Sequence, residues 1–349
     1  MKILVLNAGS SSLKYKLYDL SDMKVLSFGM IESIGKGGYH NAILEVEERL
    51  REAGIIALSQ LDAIGHRVVH GGEYFTQSVL VGENVIEAIR SLIPLAPLHN
   101  PANLEGILIT RVHAPEVPQI AVFDTAFHQS MPEHAYRYAL PEETYADMGV
   151  RRYGFHGTSH HFVAKEAAAE LGKPVEEVNL ITLHLGNGAS ACAIQGGKSI
   201  ETSMGFTPLE GLIMGSRSGD IDPAILFYLS RMHGYTIEAL DTMLNQQSGL
   251  MGICAENDMR LIHQRIHEGD PKAQLAHTMF CYRIRKYIGA YMAVLGSVDA
   301  LVFTGGIGEN DVVTREAIMK DLPFHLRVMT IATDEELEIA LQTRDILHK

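Results

Sequence analysis

ILVLNAGSSSLKYKL, residues 3–17, carries the architecture in miniature. Residues 3–6 form an unbroken apolar run of strand length, and Asn7-Ala8-Gly9-Ser10-Ser11-Ser12 is a turn of small polar residues. Leu13, Tyr15 and Leu17 then alternate with Lys14, Lys16 and Tyr18, a period of two that marks a second strand with one covered face. The outcome is a hairpin with a Gly/Ser tip. The same plan returns as LHLGNGASACAI at 183–194, and a further strand running into glycines, LVFTGGIGEN, follows at 301–310. One such hairpin in each half of the chain implies a duplication, two similar α/β domains facing a cleft.

On either side of these hairpins strands and helices alternate. The spacing predicts a third strand near 25–34, a helix over 41–51, a strand over 63–69 ending in Gly71-Gly72, and a buried strand over 119–123 ending at Asp124. Asn100 before Pro101 reads as an N-cap with Pro at the first helical position, opening a helix to about His113. Thr158 or Ser159 reads as the cap of a helix that stops at Leu171-Gly172, and residues 180–185 as a strand feeding Gly186-Asn187-Gly188. The most regular helix is predicted over 271–295, where Met279, Phe280, Ile284, Tyr287, Ile288, Tyr291 and Met292 recur at three and four, a stripe for a core or a subunit interface. Thr333 with Glu336 reads as a capping box opening the terminal helix. No Pro-rich or low-complexity linker marks a boundary, which puts the junction at a short hinge after 124–129.

At 349 residues, 46% hydrophobic and 20% charged, the chain has apolar material for more than one core. That excludes disorder, a small disulfide scaffold and a collagen-like repeat. Basic residues number 29 against 42 acidic, a formal charge of −13 with no Lys/Arg block, so nucleic acid is not an expected partner. Cys192, Cys254 and Cys281 are odd in number and far apart, with no CxxC pair, which suggests neither a disulfide framework nor a thiolate zinc site and fits a reducing cytoplasm. The apolar run at 3–6 is too short for a signal peptide. The best uncharged helical stretch, 287–298, falls below the roughly 20 residues that cross a bilayer. A soluble cytoplasmic protein, not attached to a membrane, is the expectation.

Turns without bulky side chains let backbone N–H groups approach an anion, and serine hydroxyls add donors, so the glycine-rich turns are either tight hairpins or a phosphate cradle. Neither GxxxxGK[ST] nor a strand followed by GxGxxG occurs, so a nucleotide site must be built another way. Arg67 in HRVVHGG (66–72) and Arg217 in GSRSGD (215–220) stand among small or apolar neighbours. Each is a surface charge with a snorkelling stem, or one of a pair of guanidinium groups that would neutralise an anionic acceptor beside an anionic phosphate. FHGTSHH (155–161) concentrates three histidines, and His156 with His160 has the i, i+4 spacing of a zinc pair, but neither HExxH nor a third ligand follows. Asp124 and Glu335 are the carboxylates available for chemistry.

VLNAGSSSLK (5–14), HRVVHGG (66–72), PLHNPANLEGI (97–107), FDTAFH (123–128), YGFHGTSHH (153–161), LHLGNGAS (183–190), MGSRSGDIDP (214–223) and FTGGIGEN (303–310) together resemble acetate kinase, in order and over nearly the whole chain. That family belongs to the acetate and sugar kinase, heat-shock ATPase and actin superfold. The resemblance implies an α/β fold of duplicated actin-like, ribonuclease H-like ATPase domains around a nucleotide cleft, here 1–126, with the helix 336–349 packing back on it, and 127–335, adenosine-binding and dimerising. It implies reversible phosphoryl transfer between ATP and acetate, giving acetyl phosphate and ADP, with Mg²⁺ or Mn²⁺ and a homodimer. Asn7 and Glu335 then position the metal, partly through water, and Ser10, Ser12 and Lys14 belong to the phosphate-side hairpin. Arg67 and Arg217 resemble the pair holding acetate and the transferring phosphoryl group, His156 the histidine on its equatorial oxygens, Asp124 the catalytic carboxylate, and His99 and His184 further active-site positions. Val69, Leu98, Phe155 and Pro208 match the pocket for the acetate methyl. Gly186, Asn187, Gly188, Asp258, Arg260, Gly305, Gly306, Ile307 and Asn310 fall on the nucleotide side.

A carboxylic acid with pKa near 4 is already ionised at neutral pH, so the acceptor needs no general base, only cations and donors that bring two anions together. Two stretches, 34–40 and 310–335, are shorter than the family pattern, and Ala255-Glu256-Asn257 replaces a small, Ser-rich approach to Asp258, adding a charge near the nucleoside. Competing readings are a sugar kinase with Asp124 as base, an actin-like or chaperone ATPase scaffold, a zinc hydrolase on the histidine cluster and, within the family, a propionate kinase.

Overall fold

The computed structural model describes residues 1–349 except 10, 33, 35–37, 53, 56, 321 and 324. The chain divides into two compact units. The first holds Met1–Gln129, Gly157–Ser159 and Asp334–Lys349, and the second Ser130–His156 and His160–Thr333.

In the first unit β1 (Lys2–Ala8), β2 (Ser12–Asp19) and β3 (Lys24–Glu32) form an antiparallel meander. β4 (Ala63–Val68) and β6 (Gln119–Phe123) add in parallel beside β1, and β5 (Val79–Leu80) closes the edge, in the order β3-β2-β1-β4-β6-β5. The unbroken apolar run of β1 follows from cover on both faces. Leu4 and Leu6 pack with Tyr39, Ile43, Val46 and Leu50 of the helix Gly38–Glu52. Ile3 and Val5 pack with Ile339 and Ala340 of the helix Glu335–Leu347. That helix lies so close to β4 that a Cβ on Gly65 would stand 2.4 Å from Thr343 Oγ1, so glycine is the residue that admits it. Burying each of these Leu, Ile or Val side chains contributes about 1.5–3 kcal/mol.

In the second unit β7 (Asn179–Leu185), β8 (Ala189–Gln195) and β9 (Lys198–Thr202) repeat the meander, and β10 (Ala300–Thr304) and β11 (Val328–Thr330) add in parallel beside β7. The order β9-β8-β7-β10-β11 matches β3-β2-β1-β4-β6 strand for strand. The duplication read from the two hairpins is therefore present as two sheets of one topology. The helix Pro271–Leu295 spans the predicted range; Asp270 accepts hydrogen bonds from the N–H groups of Lys272 and Ala273, and Gly296 at φ +72° ends it. Phe280, Ile284, Ile288 and Tyr291 of its stripe are buried, whereas Met279 is exposed.

Three caps differ from the sequence reading. Helix Asn100–His113 is capped at His99, because the Asn100 side chain turns inward to accept from His70 N–H at 3.1 Å and donate to its C=O at 3.1 Å. Helix Gly157–Leu171 starts after His156, held at φ +57°, and the Thr158 hydroxyl donates to Asp124 at 3.3 Å instead of capping. The terminal helix is capped by Asp334, which accepts from Leu337 N–H at 2.9 Å, and not by Thr333, whose N–H donates to Glu309. In the first two cases a backbone group or carboxylate distant in sequence outcompetes the local cap, and in the third the neighbouring carboxylate takes it.

Candidate active site

In the first unit Asn7, Arg67 and Asp124 stand at the carboxyl ends of β1, β4 and β6, three neighbouring parallel strands, where open α/β sheets place their chemistry. The guanidinium of Arg67 donates through Nη2 to Asp124 Oδ2 at 2.5 Å and through Nε to Oδ1 at 3.2 Å, and through Nη1 to Asn7 Oδ1 at 3.3 Å. Burial works against the charge of Arg67, but the carboxylates of Asp124, Glu335 and Glu336 outweigh it and hold the pKa above the ordinary arginine value. Asp124 also accepts at its carbonyl from Gly157 N–H at 3.0 Å, and a Cβ on Gly157 would fall 2.1 Å from that oxygen, which is why glycine stands there.

Two asparagines absent from the sequence reading of the site fix the strand ends. Asn103 accepts from Val69 N–H at 3.0 Å and donates to Ala8 C=O at 2.6 Å, and Asn100 does the same for His70. Their i, i+3 spacing across Pro101 puts both on one helical face, the signal that could have found them. Val69 is buried and Leu98 is 72% exposed. His99 occupies the helix cap position. Lys14 lies opposite Asn7 in the β1–β2 register, Ser12 opens β2, and Ser10 lies outside the described residues.

Desolvation pushes the Glu335 carboxyl up to about 7; Arg67 and Lys14 oppose this, while Asp124 and Glu336 reinforce it. The Glu335 carboxyl and the Asn7 amide are hard oxygen donors carried by the same unit. That donor chemistry fits a hard divalent ion such as Mg²⁺, which takes one or two protein oxygens and keeps water and phosphate for the rest. Among the described residues no group of three or more His, Cys, Asp or Glu is placed to hold a metal ion, and His156 and His160, at the i, i+4 spacing, both hydrogen-bond Ser190 Oγ.

In the second unit the rings of His156 and His184 stack at 4.2 Å between centroids. His156 Nδ1 is hydrogen-bonded to Ser190 Oγ at 2.9 Å, Ser190 Oγ to His160 Nε2 at 2.8 Å, and His160 Nδ1 to Thr182 Oγ1 at 2.7 Å. A Cβ built on Gly188 would stand 3.5 Å from His156 Nε2 and 3.6 Å from Arg217 Nη1, so the two donors flank one small space above the glycine turn. Among the described residues Arg217 donates only to the Pro208 carbonyl at 3.4 Å and to Met214 Sδ at 3.6 Å, no carboxylate pairs with it, and burial lowers its pKa from the ordinary value. Gly215 N–H donates to Asn187 C=O at 3.0 Å, docking the Arg217 loop on the Gly186–Gly188 turn, and Phe155 is buried in the same unit.

Thr304, the last residue of β10, pairs with His184 of β7, so the turns that follow both strands lie side by side. Gly305 at φ +76° passes so near Leu185 that a Cβ would meet its carbonyl oxygen at 2.8 Å, while Gly306 faces open space. Ile307 and Asn310 follow in the short helix Gly305–Asn310. Asp258 caps the helix Met259–His267 and is bound on both oxygens by Arg260, at 2.6 and 3.0 Å. Glu256 turns back on its own loop, accepting from the N–H groups of Asn257 and Asp258, so its carboxylate serves the approach to Asp258.

The chain matches the Acetokinase family over residues 2–53 and 35–347. It is 51% identical to an acetate kinase of Sulfurovum sp. (strain NBC37-1), over 396 aligned positions that cover all of both chains, so it is shorter than that relative within its length. Its structure superposes on that of acetate kinase from Porphyromonas gingivalis with a TM-score of 0.94, at 42% identity over 99% of each chain. The propionate kinase of Francisella tularensis subsp. tularensis SCHU S4 gives the same TM-score, 0.94, and the same identity, 42%, over 99% of each chain. Two sheets of one duplicated topology, polar groups gathered at the ends of their parallel strands, and this likeness over the whole length carry one conclusion: the chain belongs to the acetokinase family.

Proposed function

We propose that this protein transfers the γ-phosphoryl group of ATP directly to a carboxylate oxygen of acetate, giving acetyl phosphate and ADP, and runs the reaction in reverse. The observation that carries the reading is Arg217, a half-buried guanidinium without a carboxylate partner among the described residues, sharing a small space with the Nε2 edge of His156. An uncompensated cation beside an imidazole is a site for an anion.

The acceptor carboxylate is ionised at neutral pH and needs no base. Asp124 is not free to serve as one, since Arg67 binds both its oxygens and Thr158 one of them. Its task is to hold the guanidinium plane of Arg67, whose remaining N–H groups meet an anion. Arg67 and Arg217 neutralise acetate and the phosphoryl group, and His156 and His184 donate to the equatorial oxygens, over which a loose transition state spreads its charge. Asn7 and Glu335 would hold Mg²⁺, which when bound supplies charge neutralisation on the nucleotide phosphates. Lys14 and Ser12 add donors on the phosphate side. Gly186, Asn187, Gly188, Gly305, Gly306, Ile307, Asn310, Asp258 and Arg260 take the nucleotide, and Val69 and Leu98 of the first unit and Phe155 and Pro208 of the second are the apolar residues offered to the acetate methyl.

A second reading, propionate as acceptor, is favoured by the equal likeness to a propionate kinase. One methylene is worth only about 1–3 kcal/mol in an apolar pocket. Trapping acyl phosphate with hydroxylamine while ATP, acetate and propionate are varied tests both. Hydroxamate from acetate at the lower KM supports the first reading, from propionate the second, and its absence with both sinks the proposal.

We further read the protein as a cytoplasmic homodimer. No described helix is long and apolar enough to cross a membrane, and the three cysteines are free and buried. Support for a second copy comes from the helix Ala224–His233, which has no buried residue and exposes Phe227 at 61% and Met232 at 67%, with Ile237 beyond it at 82%. Large apolar side chains exposed along a helix with no buried residue are what a subunit contact covers.

A further inference from the structure

We propose that Thr182, His160 and Ser190 are a hydroxyl–imidazole relay that fixes which ring nitrogen of His156 carries the proton, and are positioning residues for phosphoryl transfer. The inference rests on the reading of His156 as a donor to the transferring group.

All three relay side chains are buried in the second unit, and the chain Thr182–His160–Ser190–His156 is closed by hydrogen bonds of 2.7, 2.8 and 2.9 Å. The hydrogens can be counted. A hydroxyl has one and a neutral imidazole has one. If His156 presents Nε2–H outward, its Nδ1 must accept, so Ser190 gives it the hydroxyl hydrogen. The Ser190 oxygen then accepts from His160 Nε2–H, and His160 Nδ1 accepts from the Thr182 hydroxyl. Every group is satisfied, and the bonds run in one direction.

Reversed, the chain protonates His156 on Nδ1 and turns a bare Nε2 lone pair toward the space it shares with Arg217, where it would repel a phosphoryl oxygen. That sense also requires His160 Nδ1–H to donate to Thr182, whose own hydrogen then needs another acceptor. Among the described residues Thr182 Oγ1 has only His160 as a side-chain hydrogen-bond partner. A buried hydroxyl hydrogen without an acceptor is costly, so Thr182, at the far end, sets the sense of the whole relay. The signal is invisible in the sequence because Thr182 and Ser190 lie on adjacent antiparallel strands while the histidines come from the segment before them.

The test uses the intact chain. Thr182→Val keeps the side-chain shape and removes the hydrogen that starts the relay, while Thr182→Ser keeps it. We expect Thr182→Val to lower kcat about 10-fold and Ser190→Ala about 100-fold, as for partners that orient a catalytic imidazole, with KM for ATP and acetate within about twofold. Thr182→Ser should return kcat to within about twofold of the parent. In ¹⁵N-histidine NMR spectra the parent should show His156 as the Nε2–H tautomer, assigned by the signal lost in His156→Asn, and Thr182→Val should mix the two tautomers. Unchanged tautomer and kcat in Thr182→Val overturn the relay, as does a kcat loss that Thr182→Ser does not rescue. If Ser190→Ala fails to fold, the Thr182 pair carries the test alone. Undiminished kcat in His156→Asn sinks instead the reading of His156 itself, whatever the tautomer.

Discussion

Asp124 grips Arg67 side-on, with Oδ2 2.5 Å from Nη2 and Oδ1 3.2 Å from Nε, and the carboxylate is buried while the guanidinium keeps one edge outward. Such a pair orients a cation more than it stabilises the protein. Asp124→Asn should therefore keep the fold and lower kcat by about 10²- to 10³-fold, since the amide no longer holds both guanidinium nitrogens as an anion does. Arg67→Ala should lower kcat by about 10³-fold or more and also cost about 3–5 kcal/mol by leaving a buried carboxylate unpaired. The hydroxamate assay and urea unfolding read the two effects. A normal rate in Asp124→Asn would remove Asp124 from the mechanism.

Arg217 offers a contrast, because no carboxylate holds it. Its removal should lower kcat by about 10³-fold while leaving stability within about 0.5 kcal/mol, since no ion pair is broken. Inorganic phosphate should raise the melting temperature of the parent protein by binding the folded form and should do so less in Arg217→Ala. Equal shifts in the two proteins would show that the anion binds elsewhere.

Stability should fall in mild acid for a reason internal to the first unit. Burial holds His66 and His70 down to about 4, with Gln119 opposing it at His66. Below the ordinary histidine value the unfolded chain takes up protons that the folded chain refuses. Stability is therefore complete above about pH 6.5 and is lost as the pH falls toward 4, each histidine adding at most about 1.4 kcal/mol per pH unit. Urea unfolding at pH 5, 6 and 7 should show this slope, and His66→Gln should reduce it by one proton's worth. An unaltered slope in that variant counts against the assignment.

The bare helix Ala224–His233 predicts its own experiment. Phe227→Asp with Met232→Asp should convert a dimer into a monomer in light scattering at micromolar concentration. Because neither side chain is buried within the protomer, its melting transition should remain cooperative. A parent protein that is monomeric at that concentration refutes the dimer.

The sheets were legible because their information is local. Alternating and unbroken apolar runs mark β1, β2 and β7, and apolar residues recurring at three and four mark the long helix. The caps were misread where a distant partner competes, as Asn100 goes to His70 and Thr158 to Asp124. Motif spacing singled out Arg67, Asp124, His156 and Arg217, and the structure gives each a definite neighbourhood. It could not point to Ser190, whose histidine partners lie 34 and 30 residues away. Nor could it show that Glu256 spends its charge on two backbone N–H groups of its own loop.

Asp334 does more than start the last helix, since Lys16 Nζ and Tyr18 Oη both bind its carboxylate, at 2.8 and 3.0 Å. The strand order that opens the chain is thus clasped by residues translated long after it. With a ribosome adding about 5–20 residues per second, the first unit waits roughly 10–35 s between emergence of Ser159 and of Asp334. Throughout that interval the face of β1, β4 and β6 destined for Ile339 and Ala340 lies bare. The first sheet to be translated is thus among the last parts of the chain to receive its full cover.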